Sequence, residues 1–135
     1  MRKVTAVAAA ATLGACAGPS ETPLVVQMSA GETAFQMCGS CHALEAGGST
    51  PAGPTLHAIV GRPIAAEPDF DFSPAMRRFA QTHSNWTREL LDRFAADPQA
   101  LVPGTSMDFH GMPDTVERKA LLDYLERLSG PGQGG

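Results

Sequence analysis

Two thiols and an imidazole carry the most pointed chemistry in this sequence. Cys38 and Cys41 stand three residues apart, and His42 follows the second directly, in the run Cys38-Gly-Ser-Cys41-His42. This is the c-type haem attachment pattern, in which each thiol adds to a haem vinyl group and the histidine ligates the iron. The spacing brings both sulfurs to one edge of a flat macrocycle and carries the imidazole over its face. Two other uses of the thiols compete. A dithiol redox motif sits at the start of a helix beside a strand, and no strand pattern is visible here. A zinc site needs a fourth ligand at defined spacing, and Cys38, Cys41 and His42 have no clear one. The haem reading requires a second ligand, an apolar pocket and a suitable compartment from the rest of the chain.

The second ligand has a candidate in Val102-Pro-Gly-Thr-Ser-Met107. Pro103-Gly104 forces a turn, and Met107 lies just beyond it on an extended loop. In an arbitrary protein such a methionine is gap-filling core. Delivered to iron opposite a histidine, its thioether would raise the haem potential. Met76 and Met112 are competing thioethers, and His57, His83 and His110 are competing imidazoles. An iron-bound imidazole donates its outer N–H to a carbonyl or carboxylate. The run Ala46-Gly-Gly-Ser-Thr-Pro-Ala-Gly-Pro54 offers such a carbonyl at or near Pro54. Arg62 is either a solvated charge or, beside a haem, a planar fork for a propionate. Trp86, the only tryptophan, is either plain core or an N–H donor to the same propionate.

Helices must position these groups. Ser29-Ala-Gly-Glu32 has the capping-box form, and a helix from there to about Cys38 puts Phe35 and the first thiol on one face. Gly31 shares that face, a cost to the helix that is tolerable where another helix crosses closely. Leu56, Ile59 and Val60 supply apolar wall. Ser73-Pro74 opens a second helix ending near Gln81 or Thr82. A third follows Ser84-Asn85, running from Trp86 with Leu90, Leu91 and Phe94 as its buried stripe and stopped by Pro98. Asp114 and Glu117 form a capping pair for the last helix. Its stripe of Val116, Ala120, Leu121, Tyr124, Leu125 and Leu128 would cross the first helix, with Leu121 and Tyr124 against Gly31 and Phe35.

A chain of 135 residues allows one small domain, to whose limited core a large apolar cofactor would add. The division expected is a signal peptide over 1–15, a flexible tether over 16–28, the folded domain over 29–128, and a disordered Gly-Pro tail over 129–135. Arg2 and Lys3 make a basic start, Val4 to Leu13 an Ala-rich apolar stretch, and Gly14-Ala15 are small, as in an export signal. The stretch is too short and too weakly apolar for a stable transmembrane helix. Leu13-Gly-Ala-Cys16 resembles a bacterial lipoprotein signal, with Cys16 as the lipidated mature N-terminus. Ordinary cleavage after Ala15 or Ala17 is the alternative. The whole chain has a formal charge of −4, and without Arg2 and Lys3 it carries 8 basic against 14 acidic residues, near −6. That balance argues against nucleic acid or an anionic membrane surface as partner and favours a partner presenting positive charge.

From Gly31 to Leu128 the motifs fall in one order: Gly31-x3-Phe35, Cys38-x2-Cys41-His42, Gly53-Pro-Thr-Leu56, Gly61-Arg62, Trp86, Pro98, Pro103-Gly-Thr-Ser-Met107, Phe109 and Glu117-Arg118 to Tyr124-Leu125. The pattern resembles class I cytochrome c, in its mitochondrial-type and bacterial periplasmic branch. The resemblance implies an all-α fold, four to five helices around one covalently bound haem c, with the N- and C-terminal helices crossed. It implies Cys38 and Cys41 as attachment points, His42 as proximal ligand and Met107 as distal ligand. Pro54 would offer its carbonyl to His42, and Arg62 and Trp86 would hold a propionate. By this likeness the protein is expected to be a monomeric one-electron carrier, with no catalytic residues, in a respiratory or photosynthetic chain outside the cytoplasm. It would pass electrons between a membrane-bound donor complex and an oxidase or other acceptor, from the periplasm, on a lipid anchor at Cys16. The alternative is a haem-based gas sensor or peroxidase-like protein with a labile distal ligand. Two departures bear on this. Phe72 and Phe94 stand where the family often has tyrosines, and the docking ring of lysines is absent, since Lys119 is the only lysine after the leader.

Overall fold

The computed structural model describes residues 28–130. The export signal, Cys16, all of the tether before Met28 and the chain beyond Gly130 lie outside the described residues. The described part is helical: α1 (Ala30–Phe35), α2 (Pro74–Thr82), α3 (Arg88–Ala96), α4 (Pro98–Leu101) and α5 (Thr115–Ser129). Beyond these, two isolated β-bridges, Thr50 to Gly53 and Pro63 to Asn85, are the only extended pairings among the described residues.

Three helix starts follow from local caps. Ser29 and Glu32 form the reciprocal capping box of α1. The Ser73 hydroxyl accepts from the Met76 N–H with Pro74 in the first turn of α2. The Asp114 carboxylate accepts from the N–H groups of Val116 and Glu117 at the start of α5, and these bonds hold its pKa below the usual carboxylate value.

The other expected boundaries move. α1 ends at Phe35, not near Cys38, and tight turns continue the path: the N–H groups of Cys38 and Gly39 bond to the Phe35 carbonyl, and those of Cys41 and His42 to that of Cys38. α3 starts at Arg88 with Thr87 as its cap, two residues later than expected. Trp86 cannot join it, because its N–H donates to the Arg62 carbonyl and its own carbonyl accepts from the Gly61 N–H. Pro98 ends α3 as expected, and with the Asp97 side chain as cap it also opens the short α4. α5 runs to Ser129, one residue past the expected domain edge.

α1 and α5 are packed together, and the close approach is at Gly31. A Cβ there would stand 2.5 Å from both the Ala120 carbonyl oxygen and the Tyr124 Cβ. Phe35 and Tyr124 meet one turn along, with ring centroids 6.0 Å apart. The buried face of α5 differs from the expected stripe. Leu122 is buried with Leu121 and Leu125, whereas Val116 is 75% exposed. Arg118 shares the buried face, one turn from Leu121 and Leu122 and two turns from Leu125. α3 is tied to α5 from outside by Arg88, which donates to Asp123 at 2.8 Å and Glu126 at 2.5 Å.

A Gly31→Ala substitution is expected to cost about 2 kcal/mol by forcing the two helices apart, within the range seen for overpacked cores. Urea unfolding of the holoprotein measures this. A loss smaller than the scatter of the measurement would mean that the crossing is soft.

Candidate haem site

The long segment between α1 and α2 folds back on the attachment turn. The Leu56 N–H bonds to the Ala43 carbonyl at 2.8 Å, and the Thr50 hydroxyl to that of Cys41 at 2.9 Å. This return brings Pro54 to His42, whose Nδ1 lies 2.6 Å from the Pro54 carbonyl oxygen. Proline has no N–H, and its carbonyl is left to accept from the ring. With Nδ1 donating there, Nε2 of the neutral ring is the free lone pair. Gly53 makes the approach possible, since a Cβ at that position would lie 2.6 Å from His42 Cε1. Burial lowers the His42 pKa, with the Pro54 bond acting in the opposite direction, and the net effect favours the neutral, ligating form.

A cleft opens in front of this histidine, with about 1120 Å³ free of protein atoms when its mouth is included. Its walls are mostly apolar and include Leu56, Ile59, Phe94, Leu121 and Leu125. Cys38, His42, Pro54, Arg62, Trp86 and Met107 all line it. Cys41 does not, and its side chain is exposed beside the Ser40 hydroxyl. Burial, with Cys41 nearby, pushes the free Cys38 thiol up to about 11.

Of the four histidines only His42 lines the cleft. His57 directs Nδ1 to the Leu44 carbonyl, His83 stacks on Phe79, and His110 is exposed. The thioethers are less cleanly separated, because Met76 and Met112 also line the cleft. Met112 is only 1% exposed, with its N–H held by the Ala95 carbonyl, and Met76 is 7% exposed on α2. Both are packed as core. Met107 is half-buried on the loop between α4 and α5, its N–H bonded to the Thr105 hydroxyl.

Arg62 is committed to more than the cleft. Its two terminal nitrogens donate to the His57 and Thr55 carbonyls at 2.8 and 2.7 Å, and one of them also stands 3.4 Å from Glu67. Burial lowers its pKa, against the pull of Glu67. Trp86 is buried between Phe79 and Phe94, at centroid distances of 6.1 and 5.3 Å. Of the expected site residues, Cys38, His42, Pro54, Arg62, Trp86 and Met107 are therefore brought to one cleft, Cys41 does not line it, and Cys16 lies outside the described residues. Glu67 is the lining residue that sequence reasoning missed. An acidic side chain beside a proline reads as solvated, and a contact with Arg62 five residues earlier belongs to no regular spacing that would mark it.

The residues present fit a haem. The cleft is apolar, it is faced by a neutral imidazole with a fixed outer N–H, it holds candidate thioethers, and it has a thiol at its rim. No family model matches the sequence. Individual relatives do. The chain is 39% identical over 100 residues to a cytochrome c homolog of Bradyrhizobium diazoefficiens, which covers 73% of this chain and 53% of that protein. It is 35% identical over 95 residues to the cytochrome c2 of Agrobacterium tumefaciens, covering 70% of this chain and 86% of that one. It thus spans about half the length of the first of these relatives and most of the second. Among solved structures, cytochrome cH from Methylobacterium extorquens superposes with a TM-score of 0.65 at 33% identity, over 73% of this chain and 95% of that one.

Proposed function

The chain belongs to the class I c-type cytochromes, and from that premise we propose that it is a monohaem one-electron carrier working outside the cytoplasm. The observation that carries this reading is the pairing of His42 and Met107 in a single apolar cleft, with His42 oriented by the Pro54 carbonyl.

When bound, haem c supplies a metal centre that takes up and returns one electron. The protein's own groups do the rest. The Cys38 and Cys41 thiols hold the group covalently at the rim. Hydrogen bonding to Pro54 fixes which ring nitrogen of His42 is free and raises its basicity. Met107 would supply a thioether ligand, which would favour the reduced state and raise the potential. Trp86, and Arg62 through the N–H groups it does not spend on the Thr55 and His57 carbonyls, would hold a propionate. Apolar walls at Ile59, Phe94 and Leu125 would exclude water from the bound group. Nothing in such a site performs catalysis.

The partners are redox proteins, a membrane-bound donor and an oxidase or other acceptor, and the net negative charge favours a partner face carrying positive charge. No helix among the described residues is long and apolar enough to cross a membrane. The Leu13-Gly-Ala-Cys16 run supports a lipid anchor at Cys16, with the stretch up to Met28 setting the reach of the tether. The mass of the mature N-terminus tests this: acyl chains on Cys16 are expected, and a free Ala17 or Gly18 start overturns the anchor.

A visible spectrum tests the carrier reading. The reduced protein should be low-spin, and the oxidised form should show the weak far-red band of methionine-to-iron charge transfer. A high-spin spectrum that shifts readily with carbon monoxide would instead establish the gas-binding reading. Met107→Ala is expected to abolish the far-red band and open the sixth position to added ligands. An unchanged spectrum would transfer the ligand role to Met112, Met76 or a histidine.

A further inference from the structure

We propose that Glu67 is a potential-setting residue of this cytochrome, a carboxylate held against Arg62 at the cleft wall whose negative charge stabilises the oxidised state. The inference rests on the haem reading above.

Glu67 is unlike the other acidic residues of its segment. Its side chain is 12% exposed, against 96% for Asp71, and Asp69 is exposed. It lines the same cleft as His42 and Met107, together with Arg62, Phe70 and Phe72. Burying a carboxylate is costly unless a cation faces it, and Arg62, whose own side chain is 19% exposed, stands 3.4 Å away. The fork of Arg62 is already used on two backbone carbonyls. Glu67 therefore meets a guanidinium that is fixed in place, not one that swings to find it.

The consequence is a matter of charge. Without Glu67, the positive charge of Arg62 would be met at the cleft wall only by a propionate, and its pull towards the reduced state would be stronger. Glu67 adds a negative charge beside it, and the oxidised state is favoured relative to a protein lacking that carboxylate. Both groups are largely screened from water by protein, so salt weakens the effect little. The other charged or titratable groups around Glu67 are His57, which lines the surface recess shared with Arg62 and Glu67, Asp69 and Asp71 of the neighbouring acidic turn, and Arg77 of α2. Asp71 is paired with Arg77 on the outside.

The test is the midpoint potential of the holoprotein by spectroelectrochemistry, in the wild type and in Glu67→Gln. The isosteric amide keeps the shape and removes the charge. At neutral pH the midpoint is expected to rise by the equivalent of a several-fold change in the ferric-to-ferrous ratio, a tenfold change being about 59 mV for one electron. A role in packing alone would leave the midpoint of Glu67→Gln at the wild-type value. Asp69→Asn, at an exposed site, should shift the potential less and lose that shift in high salt. Should Glu67→Gln fold poorly, Glu67→Asp serves: it keeps the charge and should retain the midpoint of the wild type. A normal low-spin spectrum with a midpoint unmoved in Glu67→Gln, or raised in Glu67→Asp, overturns the role of Glu67 while leaving the carrier intact. Absence of a low-spin haem overturns both.

Discussion

A Gly111→Ala substitution is expected to lower the unfolding free energy of the holoprotein by about 3 to 4 kcal/mol and to weaken the hold on Met107 at the same time. Two effects add. Gly111 has φ of +93°, a backbone conformation that costs an alanine roughly 1–2 kcal/mol. A Cβ there would also run into the Ala96 carbonyl at the end of α3, and overpacking of this kind costs about 1–3 kcal/mol. The obstacle is backbone, which cannot swing aside as a side chain would. The next residue is pinned as well, since the Met112 N–H bonds to the Ala95 carbonyl at 2.8 Å. Relief can come only by moving the strap that also carries Met107. Denaturant unfolding should show the loss, and the far-red methionine band should fade in the fraction that still folds. Gly47→Ala is the matched control. Its φ is +68° and its Cβ would meet nothing within 4 Å, so only the backbone cost of about 1 kcal/mol remains. Equal losses in the two variants would mean that the contact with Ala96 contributes nothing.

The same strap shows where the sequence is readable and where it is not. Helix starts at Ser29, Ser73 and Asp114 are legible because the cap and the N–H groups it serves lie within three residues of each other. The start at Thr87 is not, because Ser84, Asn85 and Thr87 can all cap. The choice falls to Trp86, which is held in extended pairing with Gly61 and Arg62 more than twenty positions earlier. α5 has apolar residues compatible with two overlapping faces. The one that is buried is selected by α1 at Gly31 and by the reach of Arg118 to Asp92 on α3, neither of which is local.

The cleft was more legible than the helix edges. Cysteine, histidine, methionine and proline at these spacings have few other uses in combination, and the loop of about a dozen residues after His42 needs only to close on itself to bring Pro54 to the ring. What stayed hidden were the buried charges. Glu67 and Arg118 look like solvated residues in sequence, because the irregular backbone that brings Arg62 to the one and the Met112 and Pro113 carbonyls to the other has no periodic signal, and Asp92 comes from another helix.

Arg118 carries the second large expected effect: Arg118→Leu should destabilise the holoprotein by about 3 kcal/mol and make Met107 easier to displace. The side chain is 8% exposed as a residue and reaches across to the strap, donating to the carbonyls of Met112 at 2.8 Å and Pro113 at 2.9 Å. Its Nε bonds to Asp92 on α3 at 2.9 Å. Removing the donors strands two carbonyl groups, at about 1–3 kcal/mol each, and leucine recovers part of that through apolar contact. The ion pair is the lesser part, because the Asp92 side chain is 41% exposed and water screens it. Asp92→Asn should therefore cost under about 1 kcal/mol. Arg118→Lys should fall between, since an ammonium cannot reach all three acceptors as a planar fork does. These three stabilities rank the carbonyl bonds above the salt bridge. A ranking with Asp92→Asn as costly as Arg118→Leu would reverse that assignment. Added imidazole supplies the functional readout. If Arg118 anchors the strap that presents Met107, imidazole should replace the sulfur at lower concentration in Arg118→Leu than in the wild type. Lowered stability with unchanged imidazole binding would place the anchor of Met107 elsewhere, at the Met112 to Ala95 hydrogen bond.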